Sequence, residues 1–393
     1  MIFVYLVGVK LKNFGIFKDS KIGQTNEDEY REKFLKINIF IGGPATGKKK
    51  LREAFNCMID SCFGAIHVYD KHLRDYYVEN VPIEITFFFK DRDLYSYRIV
   101  FGEDKKHRTV FLEESLINVS ENRILLELKN KYEDWLSDGF VLSKNGKQVE
   151  IEVKTSDNSG LGSLYDKELS DEVLAIKNFF DNMRMLNLST EKMKTKHPLV
   201  NVFYVGTKGE RLEDFLSLAL ENDRENTDKM IQSAGECFDI KRLKMYKKDK
   251  YIFFSADNMS EKNFYQMSDG FLCYLARMSI FKGLRTFPND YDGKMSLLFD
   301  NMPENHLDVK RIEDLSSEIW RGLRDNKMQQ FFAVTYNPFF LNSFTPICIW
   351  NMERDLSGNI TARKISQYPY VNEMYQEGIT LGNLWYDEYF SSP

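Results

Sequence analysis

The chain has 393 residues, 43% hydrophobic and 14% aromatic, which is enough to bury a large core and is neither a disordered nor a collagenous composition. Its formal net charge of -5 removes any default attraction to nucleic acid. Cys57, Cys62, Cys237, Cys273 and Cys348 are scattered, odd in number and without a C-x-x-C pair, so neither a disulfide framework nor a zinc site is expected and a reducing cytosol fits.

In chain order, "MIFVYLVGVKLKNF" is apolar for only a few residues and lacks a basic leader and a cleavage site, so it reads as a first strand and not as a signal peptide. No stretch approaches the length needed to cross a bilayer, and a cytoplasmic location without membrane contact is expected. "VYLVGVKLKNFGIFKDSKIG" predicts a strand, a turn near Asn13-Phe14-Gly15 and a second strand. "KINIFIGG" is a short β-branched run ending in glycines, as a buried strand entering a turn does. After Lys48, Leu51, Phe55, Met58, Ile59 and Cys62 fall at helical spacing. Ile83, Ile85, Phe87 and Phe89 alternate, a charged turn follows, and Tyr95, Tyr97, Ile99 and Phe101 alternate again, which predicts a β-hairpin.

From Leu112 to Asp249 the chain reads as mostly helical and highly charged. "DEVLAIKNFFDNMRML" and "ERLEDFLSLALENDRENTDKMIQSA" are its clearest amphipathic segments, and "LVNVFYVG" (199–206) reads as an interrupting strand. The basic run "KRLKMYKKDK" (241–250) reads as a solvated connection between helix and strand. "YIFFSADNMS" returns to strand, "SDGFLCYLARMSIFKGL" is a strong helix, and "KMSLLFDNMPENHLD" is a buried strand ending in acids with a turn at Pro303. The helix "RIEDLSSEIWRGLRDN" and the strand "QQFFAVTYN" follow. There are no repeats or sustained heptads. The pattern predicts an α/β fold, with one nucleotide-binding domain made from residues 1–111 and 250–393 and a mainly helical insertion at 112–249.

"GGPATGKK" fits the phosphate-loop pattern G-x-x-x-x-G-K-[ST] from Gly42, through Gly43, to Gly47 and Lys48. A strand precedes it and a helix follows, as a loop that cradles phosphate with backbone amides requires. The next residue should carry a hydroxyl for Mg²⁺. It is Lys49, whose ammonium cannot ligate a metal and is repelled by one.

Four segments in fixed order extend this signal. "GGPATGKK", "YQMSDGFLCYLA", "LLFDNMPENHLD" and "FFAVTYNPFFL" resemble the Walker A, signature, Walker B and switch motifs of ABC-type ATPases. The "LKNFGIFKD" opening and the "GITLGNLWY" tail are similar to the compact AAA-type members of the RecF, SMC and OLD-like group, many of which stand in antiphage operons beside a nuclease. The resemblance covers residues 1–115 and 250–390 and matches the insertion weakly. It implies a P-loop ABC-type ATPase head, a mixed sheet core with an antiparallel β-subdomain, ATP as the nucleotide and a homodimer. In that dimer Ser268 and Gly270 would meet the phosphate held by the other subunit. A helix N-terminus with exposed amides suits that role, although a serine there also reads as a plain N-cap. The resemblance places His306, Asn305 and Asp308 in a dimer-facing loop; His306 reads equally as a surface turn residue.

The departures concern one piece of chemistry. Asp300 remains as a metal holder, but the glutamate expected next is Asn301, which cannot accept a proton. Loss of a general base typically costs about 10²- to 10⁴-fold in rate. The switch histidine is replaced by Tyr336, a phenol uncharged near neutral pH. No glutamine occurs between Gln24 and Gln148 to supply a metal-touching glutamine loop. Mg²⁺ is therefore a doubtful cofactor. The expectation is a degenerate nucleotide-binding subunit, a pseudo-ATPase that dimerises and scaffolds or regulates an effector, a nuclease or toxin, in a defence-type complex. One alternative is an active ATPase in which Glu304 or a group from the insertion serves as a displaced base, driving DNA sensing or repair. Another is a nucleic-acid module using the run 241–250. A nuclease within the chain is disfavoured, because no acidic C-terminal cluster is present, and His67, His72, His107 and His197 form no metal pattern.

Overall fold

Gly15, at φ 61°, lets the chain reverse within two residues. Phe14 then pairs with Phe17, and β1 (Tyr5–Phe14) runs antiparallel to β2 (Phe17–Gly23). The computed structural model describes residues 3–63, 81–103, 109–132, 136–154, 159–195, 202, 204–248, 251–283 and 294–390. They divide into two compact units: 1–183 with 350–369 and 390–393, and 184–349 with 370–389.

The first unit continues with β3 (Ile37–Ile41), α1 (Lys48–Phe63), β4 (Ile83–Lys90), β5 (Leu94–Glu103), β6 (Thr109–Asn118), β7 (Arg123–Tyr132), β8 (Leu136–Leu142), β9 (Gln148–Lys154), α2 (Gly160–Ser163) and α3 (Asp171–Asp181). The second unit takes up the chain at β10 (Met183–Leu186), followed by α4 (Thr190–Met193), α5 (Leu212–Asn222), α6 (Arg224–Cys237), β11 (Lys244–Lys248), β12 (Tyr251–Ala256) and β13 (Met259–Asn263). Then come α7 (Asp269–Phe281), β14 (Met295–Asn301), α8 (Val309–Arg324), β15 (Met328–Val334) and α9 (Pro338–Leu341). The chain re-enters the first unit along β16 (Ile349–Arg354) and β17 (Ile360–Lys364), and α10 (Val371–Gln376) and α11 (Leu381–Tyr386) belong to the second.

In the first unit an antiparallel sheet of eight strands runs β2-β1-β4-β5-β6-β7-β8-β9. Its aromatic core ties α1 down: the Phe55 ring lies 4.8 Å from Phe87 on β4, and Phe180 of α3 lies 6.0 Å from Phe87 and 5.4 Å from Tyr97. β3, buried along its whole length, neighbours β16, which pairs antiparallel with β17. In the second unit β10, β14 and β15 are neighbours in that order, and β14 and β15 are parallel. β11, β12 and β13 form a small antiparallel sheet. α7 is buried from Phe271 to Phe281.

The region 112–249 is not mainly helical, because its first third is strand. Leu126 and Leu128 are buried while Glu127 and Lys129 point the other way, and along β9 Val153 is buried and Ile151 half-buried between the exposed Glu150 and Glu152. An antiparallel sheet solvated on one face tolerates this much charge, so charge density was a poor guide to helix. Three boundaries also differ. The helix at 171 stops at Asp181, and Met183–Leu186 is strand; the long segment from 210 breaks into α5 and α6 at Asp223, whose φ is -144°. Lys244–Lys248 of the basic run form a strand paired with β12, with Met245 buried opposite Phe254. Lysines on such an edge discourage further pairing. Of the strand expected at 199–206, residues 199–201 and 203 lie outside the described residues, and Tyr204 to Gly206 are not strand. His67, His72, His107, His197 and residues 249–250 also lie outside them.

Candidate functional site: a phosphate loop and two strand ends

In the first unit the loop between β3 and α1 is shaped by backbone conformations that suit glycine. Gly42 has φ 139°, and a Cβ there would sit 2.3 Å from the Met352 carbonyl oxygen on β16. Gly47 has φ 90° against the Phe17 ring, Ala45 has φ 57°, and Gly43 faces comparatively open space. Lys48 opens α1 and is buried. Its Nζ donates to Gly42 O at 2.6 Å, Gly43 O at 2.7 Å and Thr46 Oγ1 at 3.0 Å, spanning the loop. Burial lowers its pKa to about 8. The Lys49 side chain is 74% exposed and reaches Glu53 only at 3.8 Å, whereas Lys50 meets Glu53 at 2.9 Å. From β16, Arg354 Nη2 donates to Ala45 O at 3.4 Å.

In the second unit the parallel strands β14 and β15 end side by side, an arrangement that commonly frames a ligand crevice. Asp300 is fully buried, and both of its oxygens are taken: Arg277 Nε donates to Oδ2 at 2.7 Å and Nη2 to Oδ1 at 3.2 Å. Arg277, on α7, is itself buried and also donates to Cys273 O and Met302 O. Burial pushes the Asp300 carboxyl up, and the bidentate guanidinium of Arg277 opposes that push. Asn301 donates from Nδ2 to Asn187 Oδ1 at 2.9 Å.

Glu304 is buried beside the end of β15. Its Oε1 accepts from Thr335 Oγ1 at 2.7 Å, while Oε2 is buried without a hydrogen-bond partner among the described residues. Burial pushes its carboxyl up. Tyr336 is half exposed, and Asn337 N-caps α9.

At the start of α7, Ser268 is the N-cap and its Oγ accepts from Phe271 N at 3.3 Å. A Cβ on Gly270 would lie 2.5 Å from the His306 carbonyl oxygen, so packing within the unit already requires glycine there. Asp269, between them, accepts from Lys194 Nζ at 2.6 Å and from Thr190 Oγ1 at 3.1 Å. The Lys194 bond holds its carboxyl below the usual range, aided by Thr190 against the opposing effect of burial. Asp308 caps α8 by accepting from Arg311 N at 3.0 Å, and Asn305 Nδ2 approaches Met302 Sδ at 3.8 Å. Ser268, Gly270, His306 and Asp300 thus belong to one unit, and Gly42, Gly43, Gly47, Lys48 and Lys49 to the other.

Sequence reasoning missed Arg277, Lys194 and Asn187. Arg277 carried a signal, since a lone cation in "GFLCYLARMSIF" needs a buried acid and Asp300 in "LLFDN" is another lone charge. Lys194 and Asn187 carried none, because only the chain path brings them to Asp269 and Asn301.

Neither set of donors, each taken within its own unit, suits magnesium. The hydroxyl position holds Lys49, the Thr46 hydroxyl is engaged by Lys48 and by Gly43 O, and both Asp300 oxygens accept from Arg277. Among the described residues no group of three His, Cys, Asp or Glu side chains is placed to hold a metal.

No protein-family model matches the chain, and no curated protein matches it. Solved structures do match. An SMC head bound to the C-terminal winged-helix domain of ScpA matches with a TM-score of 0.51 and 13% identity, over 91% of this chain and 97% of that one. The Smc head domain of Pyrococcus furiosus, with an extended coiled coil and bound to the C-terminal domain of ScpA, matches with a TM-score of 0.51 and 12% identity, over 95% of this chain and all of that one. At such identities the likeness is one of fold: the chain has the α/β fold of P-loop ABC-type ATPase heads, as expected from its motifs. Among the described residues no helix is long and apolar enough to cross a membrane.

Proposed function

We propose that the chain is a nucleotide-clasping head that binds ATP, pairs with a second head and holds a protein partner, with hydrolysis lost or nearly lost. The observation that carries this reading is the closed Arg277–Asp300 pair, which puts a guanidinium where catalysis would need a free carboxylate beside a metal. Phosphoryl transfer depends on positioned charge more than on covalent help, so losing the metal donors and the base together is enough to stop it. The loop around Lys48 keeps the amides and the cation that grip phosphate.

Pairing through Ser268 and Gly270 is supported by their place at the N-terminus of a long helix and by the ABC-type fold. A protein partner is supported by the two SMC heads matched above, each bound to a domain of ScpA. The resemblance to antiphage-type heads suggests an effector, a nuclease or toxin, as that partner, held in a cytoplasmic defence-type complex. The test is a phosphate-release assay beside an ATP-binding titration. Binding without turnover is expected; turnover at ordinary ABC rates, abolished by Lys48→Ala, would refute the reading.

A second reading has one observation in its favour. The unpartnered Glu304 Oε2 lies three residues beyond Asn301 and can accept a proton as a displaced base. It requires magnesium-dependent turnover that Glu304→Gln abolishes while ATP binding persists.

A further inference from the structure

The disagreement between this site and a divalent cation has a consequence for the ligand. We propose that the loop from Gly42 to Lys49 takes its polyphosphate without a metal, with Lys49 and Arg354 supplying the counter-charge, so that the bound species is metal-free ATP and not its magnesium complex. This rests on the clasp reading above and names the form of its ligand.

Three lysines, Lys48, Lys49 and Lys50, open α1, and its first turn contains no acid. Helix N-termini already carry positive partial charge, so cations there are unfavourable unless an anion joins them. Lys50 is tied to Glu53, but Lys49 meets Glu53 only at 3.8 Å and projects into solvent. Arg354 lies over the other shoulder of the loop through its bond to Ala45 O. The loop is thus flanked by two exposed cations, with Glu53 the acid paired to the lysines.

A magnesium complex of ATP brings a second cation into this field and less negative charge to meet it. Repulsion between Lys49 and the dication is partly screened by water but remains unfavourable at contact distance. Metal-free triphosphate meets Lys48, Lys49 and Arg354 with its full charge. The hydroxyl that the loop itself offers, on Thr46, is already engaged by Lys48 and by Gly43 O, so it does not repay the loss of magnesium hydration.

The experiment is calorimetric titration of the full chain at low salt, with ATP and then inorganic tripolyphosphate as probes, in EDTA and in excess magnesium. Both probes are expected to bind about tenfold more tightly in EDTA, and Lys49→Ser to weaken the metal-free Kd by about tenfold while leaving the circular dichroism unchanged. Arg354→Gln should weaken it by a smaller factor. Magnesium that tightens ATP binding tenfold, or a metal-free Kd indifferent to Lys49→Ser, overturns the inference and leaves the clasp standing. Failure of ATP to bind under either condition overturns the clasp, and the inference with it.

Discussion

The loop of the first unit and the strand ends of the second each bury a charge, and they handle it in opposite ways. Lys48 rests on carbonyl and hydroxyl oxygens, and burial brings its ammonium near the point of losing its proton. Asp300 is matched by a bidentate guanidinium and is satisfied without anything from outside. The first arrangement can exchange carbonyls for phosphate oxygens, because the new partner is better than the old. The second cannot exchange Arg277 for a metal without stranding a buried guanidinium. On the proposed reading, readiness to bind and inability to react are located in different parts of the chain.

The sharpest way to break this contrast is Arg277→Ala. Stranding Asp300 should cost about 3–5 kcal/mol in urea unfolding, and Arg277→Met with Asp300→Leu should recover much of it. A single-variant cost below about 1 kcal/mol would mean that the pair is not closed.

The pH dependence of the loop comes next in size. Only the charged form of Lys48 grips phosphate, and in the free protein it loses its proton around pH 8. ATP affinity should hold below that pH, then fall about tenfold per unit above it, with proton uptake on binding. Stability should move the other way: a lysine depressed on folding makes the unfolded chain bind more protons between about 8 and the ordinary lysine value, so unfolding becomes harder as pH rises through that window. Lys48→Ala should remove both trends, and a flat affinity profile to pH 9.5 would contradict the assignment.

The smallest expected effect is at Glu304. Its folded-state pKa is raised, so the native chain holds that proton more firmly than the unfolded chain, and stability declines as pH climbs from the ordinary glutamate range toward the raised value. Glu304→Gln should flatten the decline and stabilise the protein by about 1 kcal/mol at neutral pH. If it destabilises instead, Oε2 has a partner that glutamine does not keep, and the second reading loses the observation in its favour.

Much of the site was legible because its signals are local. Gly42 and Gly47 announce left-handed backbone, and "INIFI" before them and the 3.6-residue spacing after them announce strand and helix. The departures at Lys49, Asn301 and Tyr336 could be read one residue at a time. The strands β6 to β9 were less legible, because their period-two pattern is interleaved with charges that the solvated face of the sheet accepts.

By itself, then, the sequence determined the order of strand, loop and helix, the glycine loop that fits the phosphate-loop pattern and the residue types that depart from that pattern, since each depends on neighbours within a few positions. Only the tertiary structure decided that Asp300 is neutralised by Arg277, 23 positions away, that Glu304 keeps one oxygen unpartnered and that Gly270 is a glycine because of His306. Those facts depend on which side chains are desolvated together, and burial is a property of the assembled fold that no local stretch encodes.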